Sequence, residues 1–126
     1  MSSVMTEELK LYCIVSRQAW KIAKTVPGKF VAQGGHAFCD ALDDATIRFP
    51  GRAADYRNSE GRPKITLMAD DEVLRELFKK YKPNFGAAMI IDAGRTVFDG
   101  PTLTVVGIGP ILPSEREEIL SGLRPW

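Results

Sequence analysis

The chain is poor in the residues that most often announce chemistry. It has one histidine, His36, and two cysteines, Cys13 and Cys39, in 126 residues. A closed zinc site wants about four such ligands, so a structural metal centre is not expected. Two cysteines make a poor disulfide framework, and reduced thiols in a cytoplasmic protein are the simpler reading. No apolar run approaches the roughly 20 residues needed to span a bilayer, so no membrane partner is expected. The opening Met1 to Glu8 has neither the basic start nor the apolar stretch of a signal peptide. Net charge is only +1, so the molecule as a whole is no polycation. Gly107-Ile108-Gly109-Pro110 lacks the third glycine of a dinucleotide loop, and too little chain follows it for a Rossmann unit.

A more local absence is informative. From Lys10 to Cys39 there is no Asp or Glu, whereas Lys10, Arg17, Lys21, Lys24 and Lys29 all fall there. The acids cluster at Asp40, Asp43 and Asp44, at Asp70, Asp71 and Glu72, and at Glu115, Glu117 and Glu118. One positive surface facing a phosphate backbone would explain this asymmetry. On charge alone, a solvated basic face with no partner is the simpler reading.

What is present suits one compact unit, with 44% hydrophobic and 26% charged residues. Residues 1–9 read as a flexible polar start and 10–126 as a single domain. Leu11 to Val15 is a continuous apolar run and predicts a buried strand. Arg17 to Val26 reads as a loop or short turn. From Lys29 to about Ile47, Phe30, Gly34, Phe38, Ala41 and Ala45 recur at helical spacing. Gly34-Gly35 costs helix propensity, which a close approach of backbone or ligand would explain. Phe49 to Arg62 reads as a mobile connection. Lys64 to Ala69 predicts a second strand, and Asp70 or Asp71 caps a helix reaching about Tyr81. Ala87 to Ile91 and Leu103 to Ile108 predict two more strands. Ser114 and Glu117 have capping-box spacing for a final helix ending near Gly122. The order implies an α/β fold, a three-layer α/β/α sandwich around a small mixed, mostly parallel sheet of about four strands.

Several side chains at the ends of these elements carry chemical potential. Lys29 falls in the first turn of a predicted helix, where the macrodipole disfavours a cation. Such a site suits anion binding or water activation; a flexible surface lysine is the plainer alternative. Gln33 and His36 lie one and two turns on and share its face. A lone helix histidine is more often packed or capping than catalytic. Asp92 ends the third strand, where the ligand crevice of an open α/β sheet forms. There it can orient a lysine or take a proton, or simply bond its own turn, as Asp-x-Gly does. Arg95 is a forked donor suited to phosphate, and Thr96 and Thr104 could turn hydroxyls into the same crevice.

Taken together, the blocks carry a resemblance. Arg17 after the opening strand, Gly28-Lys29-Phe30-Val31-Ala32-Gln33 with His36-Ala37, and Arg62-Pro63-Lys64-Ile65 come first. Ile91-Asp92-Ala93-Gly94-Arg95-Thr96, Thr102-Leu103-Thr104 and Val106-Gly107-Ile108-Gly109-Pro110 follow in order. From Leu11 onward the chain resembles the type 2 peptidyl-tRNA hydrolase family. The resemblance implies hydrolysis of the ester between a peptide and the 3′ ribose of tRNA, by a cytoplasmic and usually dimeric enzyme without metal or other cofactor. It assigns the catalytic lysine to Lys29, the aspartate to Asp92 and the threonines to Thr96 and Thr104. Gln33 and His36 match further positions around the site, with Arg17, Lys21, Lys24 and Arg95 expected to hold tRNA. The chain departs from the family pattern at Gln18, where an aspartate is usual. It also departs in the thinned basic run before Lys29 and in the order Asp99-Gly100-Pro101-Thr102. A non-catalytic tRNA- or protein-binding module on the same fold is the alternative, and a hydrolase of another acyl ester or amide a third.

Overall fold

The run from Leu11 to Val15 lies in β1 (Lys10–Ser16). Side chains alternate across a strand, so a strand apolar at every position needs cover on both faces. Tyr12 and Ile14 enter one core, while Cys13 and Val15 enter another. The remaining strands are β2 (Lys64–Ala69), β3 (Ala87–Asp92) and β4 (Thr102–Ile111), in the sheet order β2-β1-β4-β3. The two central strands, β1 and β4, are the most completely buried.

The sheet is mixed. β1 runs parallel to β2, with Cys13 opposite Thr66, but β4 is antiparallel to both β1 and β3. The expectation of a mostly parallel sheet is therefore corrected. No helix intervenes between β3 and β4, so the chain turns back beside itself rather than crossing over. The parallel pair is the one whose connection contains helices.

Those helices are α1 (Arg17–Ala23), α2 (Pro27–Arg48) and α3 (Pro50–Asn58). α1 and α2 cover the sheet face of Cys13 and Val15, and α3 packs mainly on α2. α4 (Asp71–Tyr81) and α5 (Glu118–Ser121) bury Leu74, Leu77, Tyr81 and Leu120 on the opposite face. This is the three-layer arrangement expected.

Three segments differ from expectation. α1 replaces the expected loop: the Ser16 hydroxyl accepts from Ala19 N–H at 3.0 Å, and Ala19 and Ala23 are buried. α3 replaces the expected mobile connection. Pro50 opens it where a missing N–H costs nothing, and Ala53 and Tyr56 turn inward. The Tyr56 hydroxyl then donates to Arg62 O at 2.7 Å. The expected final helix is split into a 3₁₀ turn, Pro113–Glu115, and α5. Glu115, not Glu117, accepts from Leu112 N–H at 2.7 Å, and Ser114 donates its N–H and hydroxyl to Glu7.

The computed structural model describes residues 7–126, so the expected flexible start lies outside the described residues for 1–6. The close approach anticipated at Gly34-Gly35 occurs elsewhere. A Cβ on Gly34 would meet Cys13 Sγ at an ordinary 3.6 Å, and one on Gly35 would meet nothing. At Gly107 of β4 it would lie 2.2 Å from Ala37 O, so α2 crosses the sheet in direct backbone contact there. Among the described residues no helix is long and apolar enough to cross a membrane.

Candidate active site

β1, β2 and β3 all finish at one end of the sheet, and the antiparallel β4 starts there. Asp92 is the last residue of β3, and Lys29 stands in the first turn of α2. Lys29 Nζ lies 2.6 Å from Asp92 Oδ2. The helix dipole works against a cation in that turn, and the carboxylate offsets it. Asp92 is only 9% exposed, so its charge is desolvated and must be held by partners.

It has three. Lys29 and the Gln33 side-chain amide both reach Oδ2, the latter from Nε2 at 3.2 Å. Gly94 N–H donates to Oδ1 at 2.8 Å. Lys29 and Gln33 are four residues apart on α2 and so present one face to the strand end. The Lys29 ammonium beside Asp92 holds its carboxyl below the usual range; burial opposes this and the Gly94 N–H assists it. Asp92 is thus an anion at neutral pH. Gly94 has φ +80°, and a Cβ on it would lie 2.3 Å from Gly100 backbone. Only glycine allows this turn to fold back far enough to offer its N–H.

Behind Asp92 sits Thr104, fully buried. Its hydroxyl donates to Ile90 O at 3.1 Å and accepts from Gln33 Nε2 at 3.3 Å. The β3–β4 register explains its placement. Ile90 faces Val105 and Ile91 faces Leu103, so Thr104 is the extra residue of a β-bulge. Bulges re-aim side chains, and this one brings Thr104 within reach of Gln33.

The structure thus unites Lys29, Gln33, Asp92 and Thr104. Thr96 and Arg95 are exposed on the 93–101 loop, and His36 is exposed on α2. Among the described residues none of these three makes a side-chain hydrogen bond or ion pair to that cluster. Arg17 pairs with Asp70 at 2.5 Å, and Lys21 and Lys24 are exposed along and just after α1. Asp70 therefore spends its carboxylate on Arg17 rather than capping α4. Gln18 takes over that work, its Oε1 accepting Asp71 N–H at 3.0 Å. The Asp-x-Gly turn bond, read from the sequence as an alternative to a chemical role for Asp92, is present beside the Lys29 contact. Sequence reasoning missed one member of the site, the Ile90 carbonyl, for which there was no signal.

The cysteines stand apart from this centre. Burial pushes the Cys13 thiol up to about 12, which leaves it inert as a nucleophile. It lines an apolar cavity of about 370 Å³ with Phe30, Gly34, Phe38, Thr66 and Trp126. That cavity lies on the other flank of α2, and neither Lys29 nor Asp92 borders it.

What the cluster offers is a nearly buried carboxylate paired with a half-buried ammonium at the mouth of a strand end. The ammonium has hydrogens to spare for a developing negative charge, and the carboxylate can orient a water. Residues 9–125 match the family described as "Peptidyl-tRNA hydrolase PTH2". The chain belongs to the PTH2 family. It is 36% identical over 99 residues to the "Peptidyl-tRNA hydrolase" of Methanocaldococcus jannaschii, covering 77% of this chain and 85% of that one. With the protein of the same name from Methanococcus maripaludis strain S2 it shares 35% identity over 113 residues, covering 88% of this chain and 90% of the relative. A "Probable peptidyl-tRNA hydrolase 2" of Schizosaccharomyces pombe is 35% identical over 99 residues, which is 77% of this chain and 48% of the longer yeast protein. Every residue of the buried cluster falls inside the matched PTH2 span.

Proposed function

We propose that this PTH2 chain hydrolyses the ester linking a peptide, or an N-blocked amino acid, to tRNA, and so returns tRNA for use. The observation that carries this reading is the 2.6 Å Lys29–Asp92 pair, partly buried at the end of β3 within a chain that matches PTH2 almost throughout. Water adds to the ester carbonyl carbon; the carbonyl oxygen becomes an oxyanion; the carbon–oxygen bond to the ribose breaks. Of the two protons the water brings, one leaves on the ribose oxygen and the other passes to solvent, so the peptide leaves as a carboxylate. Lys29 has N–H groups beyond the one given to Asp92, and these suit the oxyanion. Asp92, acceptor-only when ionised, orients the water. Thr96, on the exposed loop, supplies a hydroxyl at the rim.

The basic residues give this reading its tRNA-binding side. Arg17, Lys21, Lys24 and Arg95 are surface cations on α1, just after it, and on the 93–101 loop. With His36 they form the surface we assign to the tRNA. The same reading makes the protein a cytoplasmic homodimer acting as one domain over residues 10–126. Exposed Val31 and Trp126 beside the apolar cavity favour self-association.

Release of peptide from N-acetyl-aminoacyl-tRNA tests the proposal, with free aminoacyl-tRNA and small acyl esters as competitors. Rapid release from the N-blocked tRNA alone is expected. No release by folded protein that still binds tRNA would favour a binding module, and equal turnover of small esters would favour a general esterase.

A further inference from the structure

We infer that Gln33 is a positioning residue, and that Thr104 acts on Asp92 through it. Four groups make a chain: Ile90 C=O, Thr104 hydroxyl, Gln33 amide and Asp92 carboxylate. The directions of its bonds follow from chemistry alone. A backbone carbonyl only accepts, so the Thr104 proton belongs to Ile90 O, at 3.1 Å. The Thr104 oxygen is then left to accept. An ionised carboxylate also only accepts. Gln33 Nε2 lies 3.3 Å from Thr104 Oγ1 and 3.2 Å from Asp92 Oδ2, so two acceptors face its two N–H donors. The amide has one orientation that satisfies both, and its flipped form would set its oxygen against two acceptors.

Burial makes this selection sharp. Gln33 is 6% exposed and Thr104 0%, so neither side chain has water as an alternative partner. The β-bulge that brings Thr104 to this position is a local irregularity of the β3–β4 pairing, which would otherwise be regular there. It gives the site a fixed donor that points at Oδ2, the same oxygen that Lys29 holds. The groups facing Asp92 are Lys29 and Gln33 from α2 and Gly94 N–H from the loop, with Thr104 of β4 behind Gln33. Lys29 is the charged one among the described residues. Gln33 therefore helps to keep Asp92 ionised and its oxygens in register without touching substrate. This differs from the substrate-binding role expected for Gln33 and the direct catalytic role expected for Thr104.

The inference rests on Asp92 being the working carboxylate of the proposed hydrolase, but its test does not need turnover. The Asp92 side-chain carboxyl is followed by ¹³C NMR across acid pH in wild type, Gln33→Met, Thr104→Val and Thr104→Ser. Met keeps the bulk of Gln33 and removes its donors; Val removes the threonine hydroxyl at equal size; Ser keeps it. The expected result is a midpoint raised in Gln33→Met, raised less in Thr104→Val, and unchanged in Thr104→Ser. In the hydrolysis assay Gln33→Met then lowers kcat by roughly 10- to 100-fold with KM little changed, the scale of one hydrogen bond to a charged group. An unmoved Asp92 midpoint in Gln33→Met, or in Thr104→Val should the Met variant not fold, would overturn the inference. Wild type that hydrolyses nothing, with the midpoints moving as stated, would overturn the hydrolase reading and leave the relay standing.

Discussion

At the scale of single residues, the proposed chemistry rests on Asp92 and on Gly94, whose N–H reaches it. Lys29 lowers the Asp92 pKa, so the carboxylate form is complete above the ordinary aspartate range and is lost only as pH falls below it. The hydrolysis rate is therefore expected to show no acid limb near the ordinary aspartate value of about 4, and to fall only at lower pH. A rate profile with a limb at or above that value would show that another group titrates in the reaction. Gly107 offers a test of packing. Its missing Cβ is the space that Ala37 O occupies, so Gly107→Ala must push α2 away from β4. Destabilisation of about 1–3 kcal/mol or more is expected, read by urea unfolding. Because α2 carries Lys29 and Gln33, hydrolysis should fall in the folded fraction as well. Gly35→Ala, with open space around its Cβ, should be neutral or stabilising.

At the scale of elements, one part-buried network ties α2 to β3. Asp44 accepts from Arg48 at 2.7 and 3.0 Å, from Ala87 N–H at 3.0 Å, and pairs with Lys82 at 3.1 Å. Burial raises the Asp44 pKa, but Arg48, the Ala87 N–H and Lys82 together outweigh it and bring it down to about 2. Its unfolded value is about 4. The folded state thus binds fewer protons between these values, and the stabilisation is complete above pH about 4 and disappears as pH falls through about 2. Asp44→Asn should cost up to about 2 kcal/mol at neutral pH, less any solvent screening. The gap between variant and wild type should close in unfolding curves taken near pH 2. Gln18→Ala removes the acceptor at the start of α4 and should cost about 0.5–1 kcal/mol.

The elements also show what could be read in advance. The four strands were legible because apolar runs such as Leu11 to Val15 have no helical period to compete with. α4 was legible because Val73, Leu74, Leu77, Phe78 and Tyr81 repeat at helical spacing. α1 and α3 were not. Each buries only two residues, so neither produces an apolar stripe, and tertiary contacts decide their conformation. The mixed sheet was legible, but its parallel share was not: helices separate the strands early in the chain, whereas β3 and β4 adjoin with only a loop between them. Within the site, the Lys29–Gln33 spacing and the strand-end Asp92 were readable. Thr104 was readable as a candidate, but its closure from solvent was not, since the bulge depends on pairing register rather than on any local motif.

At the scale of the whole molecule, the chain is almost neutral but polarised. The acid-free stretch from Lys10 to Cys39 supplies α1 and the first half of α2, which meet at the end of the sheet that holds the Lys29–Asp92 pair. Binding of tRNA is therefore expected to weaken steeply with salt. Replacing Lys21, Lys24 and Arg95 together should reduce the slope of log K against log salt by roughly 2–3, about 0.7–0.9 for each phosphate no longer neutralised. Salt-independent tRNA binding would contradict the phosphate-binding role proposed for this surface.

The most direct measurement of the central claim is the rate at which purified protein releases the acyl group from N-acetyl-aminoacyl-tRNA, in wild type, Lys29→Ala and Asp92→Ala, with folding followed by circular dichroism. Turnover by wild type is predicted, with a loss of roughly 100-fold or more in each folded variant. Turnover by wild type that survives in either variant would contradict the assignment of the reaction to this pair.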